Sequence, residues 1–358
     1  MSAHQHIGRR LVRNKGALFG LIVIAASLVA AVGCYYISPD TSPNANRMIV
    51  EIGGRKPGFH QQFLLLKKER SLETPSFFQR LLSGKEDPYN YVPIDSYKVE
   101  GDSLVVQKFI DEGLSERQAF PLRLFAGPPE KFIATLSFHL GTDKYGRDIL
   151  SRLLVGVRVS LAVGLVTIII SLTIGVLLGA LAGYFRGRVD EIILWLINVV
   201  WSIPTLLLVF AITLMLGKGF WQVFVAIGLT LWVNVARIIR GQVMAVKERE
   251  FVEAARALGY SHTRILFLHI LPNVMGPVWV VCAGNFASAI VIEAGLSFLG
   301  VGVQPPQPSW GLMIKENYNF IITHNPMLAL APGIAIMMLV LAFNLLGNGL
   351  RDVLDVRA

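Results

Sequence analysis

Six long apolar runs, separated by short polar segments and one long one, dominate the chain of 358 residues. They extend from Gly16 to Tyr36, Val159 to Gly183, Ile192 to Leu216, Phe220 to Ala236, Val274 to Leu299 and Met327 to Leu350, and the only charge inside them is Glu293. A helix needs about 20 residues to cross about 30 Å of hydrocarbon, so each run predicts a transmembrane helix. Pro204 interrupts the third run, and a kink there is tolerated where neighbouring helices satisfy the freed carbonyl. An even number of spans puts both termini on one side. The long polar stretch from Ser38 to about Lys131 reads differently. Its prolines (Pro39, Pro43, Pro57, Pro75, Pro88, Pro93) and alternating runs such as Ser103-Leu104-Val105-Val106-Gln107 predict a small insertion with strand content.

Composition agrees with a bilayer environment: 53% of residues are hydrophobic and 16% charged, and the mean hydropathy is +0.55, outside the range of ordinary soluble domains. The net charge of +9 reports topology. With a cytoplasmic N-terminus, the inner segments hold fourteen basic residues (Arg9, Arg10, Arg13, Lys15, Arg186, Arg188, Arg237, Arg240, Lys247, Arg249, Arg256, Arg264, Arg351, Arg357) against seven acidic ones, as the positive-inside rule requires. The segment from Asp40 to His139 balances thirteen against thirteen and belongs outside. Charge divided among loop ends forms no single basic patch, so a nucleic-acid partner is not expected. Cys34 and Cys282 lie in or beside apolar runs and offer neither a disulfide framework nor metal-ligand spacing. The run before Cys34 is too long for a signal-peptide core and reads as an uncleaved first span.

One charged loop between apolar runs carries the most information. Glu253-Ala254-Ala255-Arg256-Ala257-Leu258-Gly259 reads as a short helix ending at a glycine, with small residues that keep a contact face shallow and Phe251 and Leu258 flanking it. Gly259 suits a left-handed stop. Ser261 can cap a further helix from His262 to Arg264 running toward Pro272, where the segment would turn into the fifth span. On this spacing Glu253, Ala254, Ala255, Gly259, Leu271 and Pro272 resemble the EAA loop of ABC importer permeases, with His269 at the usual isoleucine position. The His269-Ile270-Leu271-Pro272-Asn273 form is similar to the dipeptide, oligopeptide and nickel branch.

Two further segments resemble the same branch. One is Gly141-Thr142-Asp143, Gly146-Arg147-Asp148 and Ser151-Arg152, in which four charges could form a network on an interfacial helix. The other runs from Glu293-Ala294-Gly295 to Ser309-Trp310-Gly311. An intramembrane carboxylate costs about 2.5–3.5 kcal/mol on insertion scales, so Glu293 has two readings: a group facing the passing substrate, or one satisfied by Asn285, by backbone or by a partner subunit. Gly175, Gly179 and Gly183 form small-xxx-small repeats that predict close packing on another span.

The resemblance implies an all-α membrane protein of six transmembrane helices, one N-terminal and five in a type I ABC importer core, with an extracytoplasmic α/β or irregular insertion after the first. The expected divisions are 1–37 (N-terminus and first span), 38–139 (insertion), 140–157 (interfacial segment), 158–350 (permease core, with the coupling loop at 247–273) and 351–358 (cytoplasmic tail). It implies a multi-pass subunit of a bacterial inner membrane importing peptides or related small solutes. Its implied partners are a homologous second permease, one or two ATPase subunits and an extracytoplasmic substrate-binding protein. Phe251, Glu253, Ala254, Ala255, Arg256, Leu258, Gly259 and Pro272 would couple to the ATPase, and Glu293, Asn285 and Pro204 would face the pathway or a subunit. The sequence has no Gly-x-x-x-x-Gly-Lys-[Ser/Thr] loop, since Ser83-Gly84-Lys85-Glu86 lacks the spacing and the hydroxyl. ATP and magnesium are therefore expected on partner subunits, with no catalytic or metal-binding residues in this chain. The competing classes are an ion-coupled secondary transporter, which wants more intramembrane carboxylates than Glu293, a structural membrane subunit without an ATPase, and a membrane enzyme, for which Asn198, Asn234, Asn285 and Asn344 supply no base.

Overall fold

A computed structural model describes residues 10–69, 75–322 and 325–354. Arg9, Asp355 and Arg357, with residues 355–358 of the 351–358 tail, lie outside the described residues. The elements in chain order are α1 (Lys15–Ile37), β1 (Phe59–Lys67), α2 (Phe77–Ser83), β2 (Tyr89–Glu100), β3 (Ser103–Asp111), β4 (Leu114–Pro121), β5 (Ile133–Phe138), α3 (Ile149–Phe185), α4 (Gly187–Ser202), α5 (Thr205–Leu216), α6 (Phe220–Val246), α7 (Glu250–Ala257), α8 (His262–Phe298), α9 (Trp310–Asn317) and α10 (Met327–Leu354). They divide into two compact units, one comprising Met1–Leu28, Ser160–Gln304 and Ile336–Ala358, the other Val29–Val159 and Pro305–Ala335.

In the first unit, helices pack through small residues. A β-carbon on Gly175 would meet Val235 Cβ at 2.5 Å, one on Gly179 would meet the Ala236 backbone, and one on Gly183 would meet Arg240 O at 2.6 Å. The glycine stripe of α3 therefore lies directly on α6, as its spacing predicts. Ile193 and Ile197 of α4 close over the same surface with Ala182, Trp232 and Ala236. Gly20 brings α1 equally near Ala342 of α10, and Asn14 Nδ2 donates to Asp352 at 3.0 Å beside this contact.

Among the described residues five helices (α1, α3, α6, α8 and α10) are long and apolar enough to cross a membrane, and α4 with α5 forms a pair bent by 95°. The run from Ile192 to Leu216 is thus two helices meeting at a sharp break, where one kinked helix was expected. Ile203 and Pro204 are extended, at ψ 129° and 126°, because a residue before proline is driven out of the helical region and proline offers no donor. Ser202 Oγ donates to Val199 O at 2.7 Å, closing the end of α4. The turn expected at Pro272 is also absent: the helix continues through it, with a π-helical stretch over Ile265–Ile270 immediately before. Asn273 Nδ2 donates to His269 O at 2.7 Å in the helical turn that contains the proline.

The second unit contains a five-stranded antiparallel sheet in the order β4-β3-β2-β1-β5. The expected strand content is thus a complete sheet. Adjacent positions of β1 point to opposite faces: Phe63 packs with Ile49, Ile52, Phe109 and Phe138, and Leu64 with Ile94, Leu104, Val106 and Phe125. The edge strand β4 is exposed over most of its length. Helix α3 starts at Ile149, so the division expected at 157/158 falls inside one continuous helix.

Candidate docking loop and interior polar groups

Helix α7 has two unlike faces. Val252 and Ala255, at i and i+3, are buried with Tyr184, Val243, Ile265 and Val274, so the inner face joins α3, α6 and α8 in one core. Phe251, Glu253, Ala254, Arg256 and Leu258 face outward, with Leu258 72% exposed. The two alanines therefore divide: Ala254 is on the outer face, while Ala255 anchors the helix, contrary to the expectation that both would present the shallow contact face.

The helix ends as its glycine dictates. Gly259 has φ +75°, its N–H donates to Arg256 O at 2.9 Å, and Tyr260 N–H donates to Ala255 O at 3.2 Å, the paired bonds of a Schellman stop. Ser261 Oγ then accepts from Arg264 N–H and starts α8. Residues that sequence reasoning passed over hold this corner. Lys247 Nζ donates to Tyr184 O at 2.5 Å, the Tyr184 hydroxyl lies 2.9 Å from His262 Nδ1, and Tyr260 stacks on His269 under the Arg264 guanidinium. Arg240 pairs in bidentate fashion with Asp190 at 2.5 and 2.7 Å. Burial, then the charges of Arg256 and Arg186, push the Lys247 ammonium below its ordinary range. The periodicity of Val252 and Ala255 was a readable signal for the inner face. The Tyr184–His262 contact joins positions 78 apart and had none.

A second charged group lies in the other unit. Residues 142–148 form a tight turn, closed by the bridge between Thr142 and Asp148, where an interfacial helix was expected. Gly146 takes φ +74°, and a β-carbon there would overlap Ile49 O. Asp143 Oδ1 accepts from the N–H groups of Tyr145 and Arg147 at 2.9 and 3.0 Å, an Asx turn. Its Oδ2 pairs with Arg147 Nε at 2.6 Å, and Arg147 Nη2 reaches Glu316 of α9 at 2.7 Å. Arg152 stands 3.4 Å from Glu316 and 3.8 Å from Asp143. Both guanidinium groups are buried. Three of the four charges expected in the network, Asp143, Arg147 and Arg152, thus join it, through a turn and with Glu316 in the place expected of Asp148. Asp148 caps α3, accepting from Ser151 N–H at 2.8 Å and from the Ser151 hydroxyl.

The interior polar residues separate. Glu293 is buried, and its Oε1 accepts from Ser297 Oγ at 2.6 Å. The same oxygen of Ser297 accepts from Val303 N–H at 3.0 Å, so Glu293 braces the turn that ends α8. Asn285 is not its neighbour. It accepts from Asn234 Nδ2 and donates to Leu231 O, both at 3.3 Å. Asn234, Ser288, Asn344 and Thr205 line a cavity of about 450 Å³, whose walls include neither Glu293 nor Pro204. Among the described residues there is no cluster of ligands able to hold a metal ion.

Comparison with known proteins gives consistent results. The family described as "Binding-protein-dependent transport system inner membrane component" matches residues 175–358, and the "N-terminal TM domain of oligopeptide transport permease C" matches residues 2–50. The glutathione transport system permease protein GsiD of Pectobacterium atrosepticum is 42% identical over 216 residues, covering 60% of this chain and 71% of the relative. The oligopeptide transport system permease protein OppC of Bacillus subtilis is 40% identical over 215 residues, covering 60% and 70%. The dipeptide transport system permease protein DppC of Alkalihalophilus pseudofirmus is also 40% identical over 215 residues, with the same coverage.

Proposed function

From its membership of the family of binding-protein-dependent transport system inner membrane components, we propose that this chain is one of two permease subunits of an ATP-driven importer of peptides or related small solutes, and that α7 is where the ATPase acts. The role of transport system permease is that of the relatives. The two-faced geometry of α7 carries the assignment of the coupling site: its outer face is an exposed patch of Phe251, Glu253, Ala254 and Leu258, while its inner face is embedded in the core of three long helices.

A load applied to the outer face reaches α8 through Val252 and Ala255, which touch the stretch from Ile265 to Val274. The Schellman corner fixes the angle between α7 and α8, and the clamp of Lys247, Tyr184 and His262 keeps the corner on the end of α3. ATP and magnesium would be bound on the partner. Closure of the ATPase pair would bias the two permeases between inward-facing and outward-facing states, with the ligand shifting a two-state element. In this reading α4 and α5 count as one broken span, giving six, with both termini and α7 on the cytoplasmic side and the sheet outside. A second permease completes the pathway, and a binding protein delivers the solute. The 450 Å³ cavity with Asn234 and Asn344 on its walls is a better candidate for the pathway than Glu293.

Gentle purification of the tagged chain from its native membrane, followed by mass spectrometry, tests the assembly. A second permease and at least one ATPase are expected. Recovery of the chain alone, with transport reconstituted from it, would falsify the reading. Glu253→Lys tests the site: normal insertion with ATP hydrolysis uncoupled from uptake is expected, and loss of the inserted protein would instead make Glu253 a folding residue.

A further inference from the structure

Helix α2 of the insertion is amphipathic, and among the described residues its apolar side is largely exposed. Phe77 and Phe78 are 64% and 72% exposed, and Leu82, one turn on, is 66% exposed. Phe78 and Leu82, at i and i+4, form one stripe that Phe77 and Leu81 widen. Ser76 caps the helix reciprocally with Gln79, so the segment is a defined helix with a fixed face.

Its position is set by the ends of two membrane helices. The Phe77 ring packs on Tyr36, in the last turn of α1, at 5.8 Å between centroids, and the Arg80 guanidinium covers the same tyrosine at 4.5 Å. Gly84, at φ +78°, turns the chain tightly over Tyr35, and Lys85 N–H donates to Thr41 O at 2.9 Å. From α3, Arg158 donates to Leu82 O at 2.9 Å and to Leu81 O at 3.0 Å, filling the carbonyls at the end of α2. Arg158 is the last charge before the uncharged run of α3, and Tyr36 closes the uncharged run of α1. Both mark the depth at which hydrocarbon gives way to headgroups.

We propose that α2 is a membrane-surface helix, lying in the interface of the leaflet on the insertion side with Phe77, Phe78 and Leu82 in the acyl boundary. Continuity with the lipid-facing surface of α1 identifies lipid as the occupant: Tyr36 and Ile37, adjoining the stripe, are themselves exposed apolar residues of a spanning helix. The chemistry agrees, since aromatic side chains favour this depth and a short helix with an apolar face and basic flanks binds there. Arg80, Lys85 and Arg158 place three cations at headgroup level, where long basic side chains keep their stems in apolar surroundings and their charges in water. The insertion is thus tethered to the bilayer by its own surface as well as by the two spans it connects.

The test uses the transporter assembled in lipid nanodiscs. Phe78→Cys is labelled with an environment-sensitive fluorophore, Cys34 and Cys282 both being buried, and lipids bearing a nitroxide near the headgroup are the quencher. Loss of most of the fluorescence at position 78 is expected, with no loss at Leu114→Cys, an exposed site on β4 of the same insertion. Leu82→Cys serves as a second reporter and should follow position 78. Quenching at 78 and 82 no stronger than at 114 overturns the proposal. So does quenching seen with the isolated chain but abolished on assembly with its partners, which would make the stripe a protein contact.

Discussion

The cluster at 143–152 and helix α7 use similar residues in opposite circumstances. Asp143, Arg147, Arg152 and Glu316 are two carboxylates and two guanidinium groups enclosed in protein and paired at 2.6 to 3.8 Å. Glu250, Glu253 and Arg256 are charges of the same kinds on a surface with no comparable enclosure. A buried ion pair requires its partners, because stripping water from one charge costs several kcal/mol that only the opposite charge and good hydrogen bonds offset. A charge left in water keeps its solvation and is available to something else. The first arrangement holds the root of the insertion and α9 together; the second leaves a face exposed, which the proposed coupling role would use.

The contrast can be broken hardest at the enclosed end. Arg147→Met leaves Asp143 and Glu316 partly uncompensated in the interior, and a loss of about 3–5 kcal/mol is expected. It should appear as a lowered melting temperature of the detergent-purified chain. Gly179→Ala attacks enclosure of another kind, forcing a methyl group onto the Ala236 backbone, with a cost of about 1–3 kcal/mol from overpacking and a similar lowering of the melting temperature. Gly259→Ala puts a β-carbon on a residue at φ +75° in open space, so strain alone remains, about 1 kcal/mol. The melting shift should be smaller than at Gly179. At the open end, Leu258→Asp should change stability by less than about 0.5 kcal/mol yet abolish ATP-coupled uptake in proteoliposomes. A stability loss there rivalling that of Arg147→Met would erase the distinction between the two regions.

What the sequence disclosed follows from the range of the forces involved. The long apolar helices were legible because bilayer thickness imposes a length on every span, and the stop at Gly259 because only a few residues tolerate positive φ. The glycine stripe at 175, 179 and 183 was readable as a packing face, though not its partner helix. Arg152 and Glu316 are 164 residues apart, and no local pattern announces such a pair. The break at Ile203 and Pro204 was hidden by uniform hydrophobicity, since the residues on either side are equally apolar and only the backbone rule for proline separates a kink from an ended helix. Pro272 shows the reverse: a recognised breaker absorbed by a wide π turn. Ala254 and Ala255 have the same side chain, and only their phase relative to Val252 tells the outward residue from the anchoring one.

The contact of α3 with α6 has a consequence for how such a protein can move. Where Gly175, Gly179 and Gly183 meet the backbone of Trp232, Ala236 and Arg240, the nearest side chains are the β-branched Val235 and Val243, which are stiff at χ1 and rearrange little as the helices shift. A small axial slip would drive carbonyls into α-carbons, and the next comfortable fit comes only after a full register step. The pair should therefore behave as one stiff plank that tilts whole, leaving gradual adjustment to joints elsewhere.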